Sequence, residues 1–451
     1  MFKLNVFLFV SFISNFLYAI FPDELAVVVN SESTNSYAIA TKYCNQRKIP
    51  SNNIIEVSLK SSAGKFPVEI TSESFTEDIW NVVNAKISER GLEDKLDAWI
   101  YSVDIPTTIT TNPQVSITGL TFVKNKLPEG KDIVKGGDYQ SMYYGGPLAR
   151  GRLRDPKSFS YAMKYIEKEQ TPIMSMMLGY IGDKGNTVKE VYEYLDRGLK
   201  GDGTYPSGNV YFVTNSDVRT TCRLWQVEGG LKALNEVGIK TVVQSQIPDD
   251  SVEQVLGIWV GKAFMKTDTG CNYLPGSMVD NLTSFGARFQ TKSQTKVSDW
   301  FRAGATLACG TVTEPYAIWK KFPTIYFWLF YKAGCPAIES FYQATYCPLQ
   351  QLFIGDPLVS PWGGNTPVDI LLEKNSDKIS ASYVVKNLDS NKTLKDPIWF
   401  LDGKEISRSK SVIIDLQKYS KQVHYLTIHI STYGFVDLGC YGMIKIDYPD
   451  L

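Results

Sequence analysis

From Leu25 to Leu358, apolar runs of strand length alternate with segments of helical period, and beyond Pro361-Trp-Gly-Gly-Asn-Thr-Pro367 this gives way to short runs of period two. The first pattern belongs to a mostly parallel sheet with helices on both faces, because each parallel strand needs a long crossover, usually a helix, to bring the chain back. Strands are expected at Leu25 to Val29, Ile54 to Leu59, Trp99 to Val103, Ile173 to Leu178, Val210 to Thr214, Thr241 to Gln244, Val255 to Val260 and Ala305 to Cys309. Helices are expected over Thr34 to Lys48, Phe75 to Arg90, Ser158 to Glu167, Thr187 to Gly198, Asp217 to Val237, Val297 to Arg302 and Tyr326 to Ala333. Thr187 and Asp217 stand where N-caps are wanted. The Gly- and Pro-rich stretch Thr107 to Asp155 breaks the rhythm and reads as a long insertion over the sheet edge, the kind of loop that often carries function. The second pattern, Val368 to Tyr448, reads as an all-β sandwich of about seven strands, of immunoglobulin type. A chain of 451 residues is long for one core, so an α/β domain over 20–362 and a β-sandwich over 363–451 are expected.

Residues 1–19 have the order of a secretory signal: Lys3 in a short basic start, a mostly apolar run from Leu4 to Leu17, and Ala19 as the small residue at the cut. The mature chain is expected to begin near Ile20 and to be exported, to the periplasm, the cell surface or beyond. No later segment approaches a transmembrane run. Lys+Arg and Asp+Glu are both 47, so no net field gathers nucleic acid or an anionic membrane surface. The seven cysteines show no CxxC or CxxH spacing, which gives zinc no support. No cofactor is expected. Cys335 and Cys347 can bridge across the helix between them, but pairing does not follow from sequence.

The chemistry-bearing residues gather late in the alternating region, in Leu274-Pro-Gly-Ser-Met-Val-Asp-Asn-Leu-Thr-Ser-Phe-Gly-Ala287, in Arg302 to Tyr316 and in Leu352-Phe-Ile-Gly-Asp-Pro-Leu358. Ligands of an open parallel sheet bind outside the carboxyl ends of its strands. Glu314, just past the strand ending at Cys309, belongs to that edge, and Asp280, Ser284 and Asp356 are the other candidates for contact with a ligand. Each has a plainer reading beside it. Asp280 at a helix start is also a cap, and Asp356-Pro357 is also a turn. Cys271 and Cys309 are the candidate thiols, and Cys309 on an apolar strand fits equally as a small buried hydrophobe. The only histidines, His424 and His429, lie in the β region. Five residues apart on a strand, they occupy opposite faces about seventeen ångströms apart and make no metal pair.

Gly304-Ala-Thr-Leu-Ala-Cys-Gly-Thr311 and Gly355-Asp-Pro357 resemble the last elements of gingipain-type cysteine peptidases, a group that shares the caspase-like fold. More closely, Pro275-Gly276, Leu282-Thr-Ser-Phe285, Gly304-Ala-Thr306, Val312-Thr-Glu-Pro315 and Gly355-Asp-Pro-Leu358 are similar to a family of exported bacterial proteins with no established reaction. The resemblance implies a gingipain-like fold and export. In the peptidases one central strand ends in His-Gly and the next in the nucleophilic cysteine, so that thiolate and imidazole meet at the carboxyl edge. Here the strand Val255 to Val260 runs into Gly261-Lys262 with no histidine, and the nucleophile strand is expected to precede Leu274. Without a base a thiol stays mostly protonated near neutral pH. The expectation is therefore a pseudoenzyme that binds or scaffolds an envelope or extracellular ligand. The rival is a hydrolase using the carboxylates of Asp280 and Glu314, which requires both in one cleft.

Overall fold

The computed structural model describes residues 20–147, 171–363, 366–375, 378–386, 393–419, 423–432 and 439–447. The expected signal segment and the expected helix Ser158 to Glu167 lie outside the described residues. Thirteen described strands precede Trp362: β1 (Leu25–Asn30), β2 (Ile54–Val57), β3 (Glu69–Ile70), β4 (Ala98–Tyr101), β5 (Thr108–Ile109), β6 (Val115–Ser116), β7 (Met174–Met177), β8 (Asn209–Val213), β9 (Lys240–Gln244), β10 (Gln254–Gly261), β11 (Asn272–Leu282), β12 (Leu307–Thr311) and β13 (Gln351–Gly355). Three of them, β3, β5 and β6, form a small sheet of their own. The other ten make one sheet in the order β2-β1-β4-β7-β13-β12-β11-β10-β8-β9. Every residue of β1, β4, β7, β12 and β13 is buried, as expected of strands covered on both faces.

Strands β2-β1-β4-β7 run parallel to one another, as do β12-β11-β10-β8-β9. The two runs point the same way, since Tyr180 past β7 stacks on Phe289 past β11 at 3.9 Å between ring centroids. Between them β13 is antiparallel to β12. Its one bridge to β7, Ile354 to Met177, has parallel-type bonding, but its ends show that the strand runs against both neighbours. At its start Gln351 O accepts from Thr118 Oγ1, past β4, at 3.1 Å. Past its end Asp356 meets Arg47, the last residue of the helix Thr34–Arg47 that returns from β1. Gly355 and Asp356 therefore lie at the amino edge of the sheet.

The expected strands are all present, and β11 and β13 join them. The Pro275-Gly276 pair, expected to follow a strand, sits within β11. The register against β10 jumps from Val255↔Tyr273 to Gly257↔Met278, so the extra residues bulge out around Gly276, whose φ is 86°. Asp280 consequently lies inside a strand and does not cap a helix. The helix expected over Asp217 to Val237 is broken into Val218–Thr221, a 3-10 turn Leu224–Gln226 and Val227–Glu236. The break falls at Arg223, whose side chain turns into the core.

Beyond the linker a separate lobe holds β14 (Thr366–Asn375), β15 (Lys378–Val385), β16 (Ile398–Leu401), β17 (Lys404–Ser407), β18 (Val412–Asp415), β19 (Val423–Ser431) and β20 (Gly439–Asp447), in the order β17-β16-β19-β20-β14-β15-β18. Strand β14 is shared: Thr366 and Pro367 pair with β20, and Val368 onward with β15. The two halves close on a core of their own that includes Val368, Ile379, Trp399, Leu426 and Ile428. This lobe packs against the amino edge of the large sheet. Tyr441 OH donates to Lys48 O at 2.8 Å, Thr427 Oγ1 donates to Asp23 Oδ2 at 2.8 Å, and Phe21 stacks on His429 at 3.9 Å.

Candidate functional site

At the carboxyl edge the ends of β1, β4 and β7 surround a cleft of about 490 Å³ lined by Asn35, Lys65, Asp104, Tyr180, Asp183 and Phe289, among others. Asn30, the last residue of β1, ties these ends together. Its Nδ2 donates to Leu59 O at 3.0 Å and Asp104 O at 3.1 Å, while its Oδ1 accepts from Leu59 N at 3.0 Å. Ser33 caps the helix Thr34–Arg47 by accepting from Ser36 N, and its hydroxyl donates to Asp104 Oδ2 at 2.6 Å. Asp104 has a φ of 57°, a left-handed conformation that a non-glycine residue keeps only where its surroundings hold it. Burial pushes its carboxyl up from the ordinary value, with the Ser33 hydroxyl pulling the other way. Opposite, Tyr180 lies flat on Phe289, and burial raises its phenol to about 12. Lys65 and Asp183 form an exposed ion pair at 3.2 Å. The cleft thus offers one held carboxyl, one protonated phenol and an aromatic wall.

The residues singled out from sequence lie elsewhere. Asp280 is 1% exposed in β11, where Arg223 forms an ion pair with Oδ2 and Cys309 Sγ lies 3.7 Å from Oδ1. Burial pushes the Asp280 carboxyl up against the pull of Arg223. Arg223 is itself fully buried, donates to Val260 O at 2.5 Å and lies over the Trp259 ring at 4.3 Å. The Cys309 thiol is driven well above its ordinary range, first by burial and then by Asp280. Ser284 is buried just past β11, its carbonyl accepting from Thr311 Oγ1 at 3.0 Å. Glu314 is exposed and accepts from Tyr316 N at 2.8 Å. Asp280, enclosed with Arg223, and Glu314, facing solvent, do not form the shared cleft that a paired-carboxylate site requires.

Asp356 is on the opposite edge. It is fully buried and accepts from Arg47 Nε at 2.9 Å, Tyr43 OH at 2.9 Å and Leu358 N at 3.0 Å, and it also pairs with Arg47 Nη2. Arg47 reaches Asp202 as well, beside a second cleft of about 370 Å³ between the lobes that Leu199, Asp202, Pro367 and Tyr441 help to line. Cys271 is also buried, next to the amino end of β11, and its sulfur accepts from Thr269 Oγ1 at 3.5 Å.

Strands β10 and β11 are adjacent and end level, Gly261 opposite Leu282. The pair of ends that faces the carboxyl edge is thus Gly261-Lys262 and Thr283-Ser284, and the strand expected to precede Leu274 instead runs through it, as β11. Both histidines are in the β lobe at the amino edge. His429 Nε2 lies 2.7 Å from Asp23 Oδ1, and His424 Nδ1 lies 2.6 Å from Asp402 Oδ2. Sequence reasoning missed Asp104 and Tyr180. The signal was present for Asp104, the first residue after the expected strand Trp99 to Val103, where the edge rule applies as it does to Glu314.

Among the described residues no group of three His, Cys, Asp or Glu is placed to hold a metal ion, and no helix is long and apolar enough to cross a membrane. No family model matches the chain, and no curated protein matches it. Among solved structures, the PKD1 domain from Vibrio cholerae metalloprotease PrtV is similar to 18% of this chain and 98% of that domain, at 14% identity and a TM-score of 0.15.

Proposed function

We propose that the protein is an exported, envelope-associated binding protein built on a gingipain-like domain without the catalytic histidine, followed by an immunoglobulin-like sandwich. The observation that carries this reading is the pair of strand ends Gly261-Lys262 and Thr283-Ser284, with both histidines of the chain at the other edge of the sheet. General-base help contributes roughly a hundred- to ten-thousandfold to such reactions, and no imidazole stands where it is needed. The buried Cys309 thiol, raised well above its ordinary range, is a poor nucleophile on its own.

The ligand is an envelope or extracellular molecule that presents hydrogen-bond donors to Asp104 and an apolar group beside Tyr180. Two measurements test this. The purified mature chain should not turn over Arg-, Lys- or Asp-directed fluorogenic peptides, and a thiol-directed covalent probe should leave the buried Cys271 and Cys309 unlabelled while the half-exposed Cys222 remains open to it. Turnover abolished by Cys309→Ala or Cys271→Ala would overturn the reading. The chain should co-sediment with an insoluble bacterial envelope fraction, and Asp104→Ala should lose that retention. Equal behaviour of both proteins would remove the cleft from the proposal.

A further inference from the structure

The backbone nitrogen of Ile20 lies 2.6 Å from Glu339 Oε1, with Ile20 5% exposed and Glu339 fully buried. Glu339 is the third residue of the helix Ala337–Ala344. The start of that helix is held at the amino edge by Ala337 N donating to Val359 O at 2.9 Å and Ile338 N donating to Pro357 O at 3.1 Å. The residues after Ile20 are just as firmly seated. Phe21 is fully buried, donates its N–H to Glu24 Oε2 at 2.7 Å and stacks on His429, and Asp23 binds Lys95 at 3.1 Å.

An expectation and an observation meet at this nitrogen. The sequence is expected to be cut near Ala19, a reading on which this inference rests, and the fold places a buried carboxyl within hydrogen-bond distance of the atom that a cut between Ala19 and Ile20 would change. In the uncut chain the Ile20 nitrogen is a neutral amide with one hydrogen. Hydrolysis adds water across the Ala19–Ile20 bond. The C–N bond breaks, oxygen goes to the Ala19 carbonyl carbon to leave a carboxylate, and the freed Ile20 amine takes up a proton near neutral pH. A carboxylate out of water gains far more from a cation than from a neutral donor. We propose that Glu339 is the receptor for the N-terminus made by a signal-peptidase-class enzyme, so that processing adds a positive charge beside this buried carboxyl and fixes the segment Ile20 to Glu24 between the lobes.

The ion pair has a defined pH signature. An α-amine whose pairing with a carboxylate outweighs its burial has a higher value folded than the roughly 7.7 to 8.0 of the unfolded chain, so its stabilisation is complete below that range and disappears as pH rises past the folded value. The test compares the mature chain released from a fusion that leaves Ile20 first with the same chain carrying Gly-Ser ahead of Ile20, each with and without Glu339→Gln. At pH 7 the free Ile20 chain should melt roughly 3 °C or more above the extended one. The gap should close at pH 10 and be absent in the Glu339→Gln pair. Equal melting at pH 7, or an undiminished gap in Glu339→Gln, overturns the proposal. Should Glu339→Gln fail to fold, amine labelling decides it: the Ile20 α-amine of the folded chain should react at least roughly tenfold more slowly than in urea, and equal rates overturn it. N-terminal sequencing of exported protein should begin at Ile20, and any other start overturns it.

Discussion

Arg223 and Asp280 carry opposite charges into a site where neither meets water, and Arg223 is held besides by Val260 O and the Trp259 ring. Removing one partner leaves the other charged and enclosed. Asp280→Ala should cost about 3 to 5 kcal/mol in urea unfolding, and the double replacement Arg223→Met/Asp280→Leu should cost less than either single change. At the lobe junction His429 has the opposite character. Burial keeps its imidazole neutral and lowers it to about 4, while Asp23 works against that. The folded value lies below the unfolded 6.5, so the unfolded chain binds the proton first. Its stabilisation is whole above pH 6.5 and is lost as pH falls towards 4, by at most about 3 kcal/mol. Glu24 acts the other way. Burial raises its carboxyl to about 8, so its contribution falls as pH rises from 4.5 towards 8. The two are separated by mutation: between pH 7 and 4.5, urea unfolding of His429→Gln should show a smaller loss of stability than the natural chain does.

At the level of elements, most of the sheet was legible because its strands are unbroken apolar runs, and Thr187 and Asp217 cap helices where their side chains suggested. What hid β11 was its bulge, since Pro275-Gly276 is punctuation in sequence and an interruption within one strand in space. The misreading carried Asp280 from core strand to helix cap and left the ends of β10 and β11 unmatched. The candidate cleft was legible only in part. Asp104 follows an expected strand, but Tyr180 and Phe289 are more than a hundred residues apart, and their stacking depends on the order of strands. Asp356 was misplaced because nothing in Gly355-Asp356-Pro357 records the direction of β13. Its contact with the helix Val188–Gly201 provides a test. A Cβ at Gly198 would lie 2.5 Å from Asp356 Oδ2, and Asp356 is fixed by Arg47 and Tyr43 and has nowhere to go. Gly198→Ala should lower stability by about 1 to 3 kcal/mol in chemical denaturation despite the better helix former.

Across the whole molecule, the β lobe has its own core but leans on the first through His429, Phe400 and Tyr441, which an isolated piece would present to water. Residues 363–451 expressed alone should give a β-type far-UV spectrum but melt below the corresponding transition of the full chain, and a wholly unfolded spectrum would show that the lobe depends on its neighbour. Strand β13 has a consequence of another kind. It is the last strand of the large sheet to be made, yet it lies at its middle, between β7 and β12. A nascent chain that stops short of Gln351 holds two half-sheets, each ending in a raw edge that invites other chains. No earlier strand among the described residues closes that gap. The sheet is completed only when nearly the whole domain has been made, so this topology favours late, collective closure over folding piece by piece from the amino terminus.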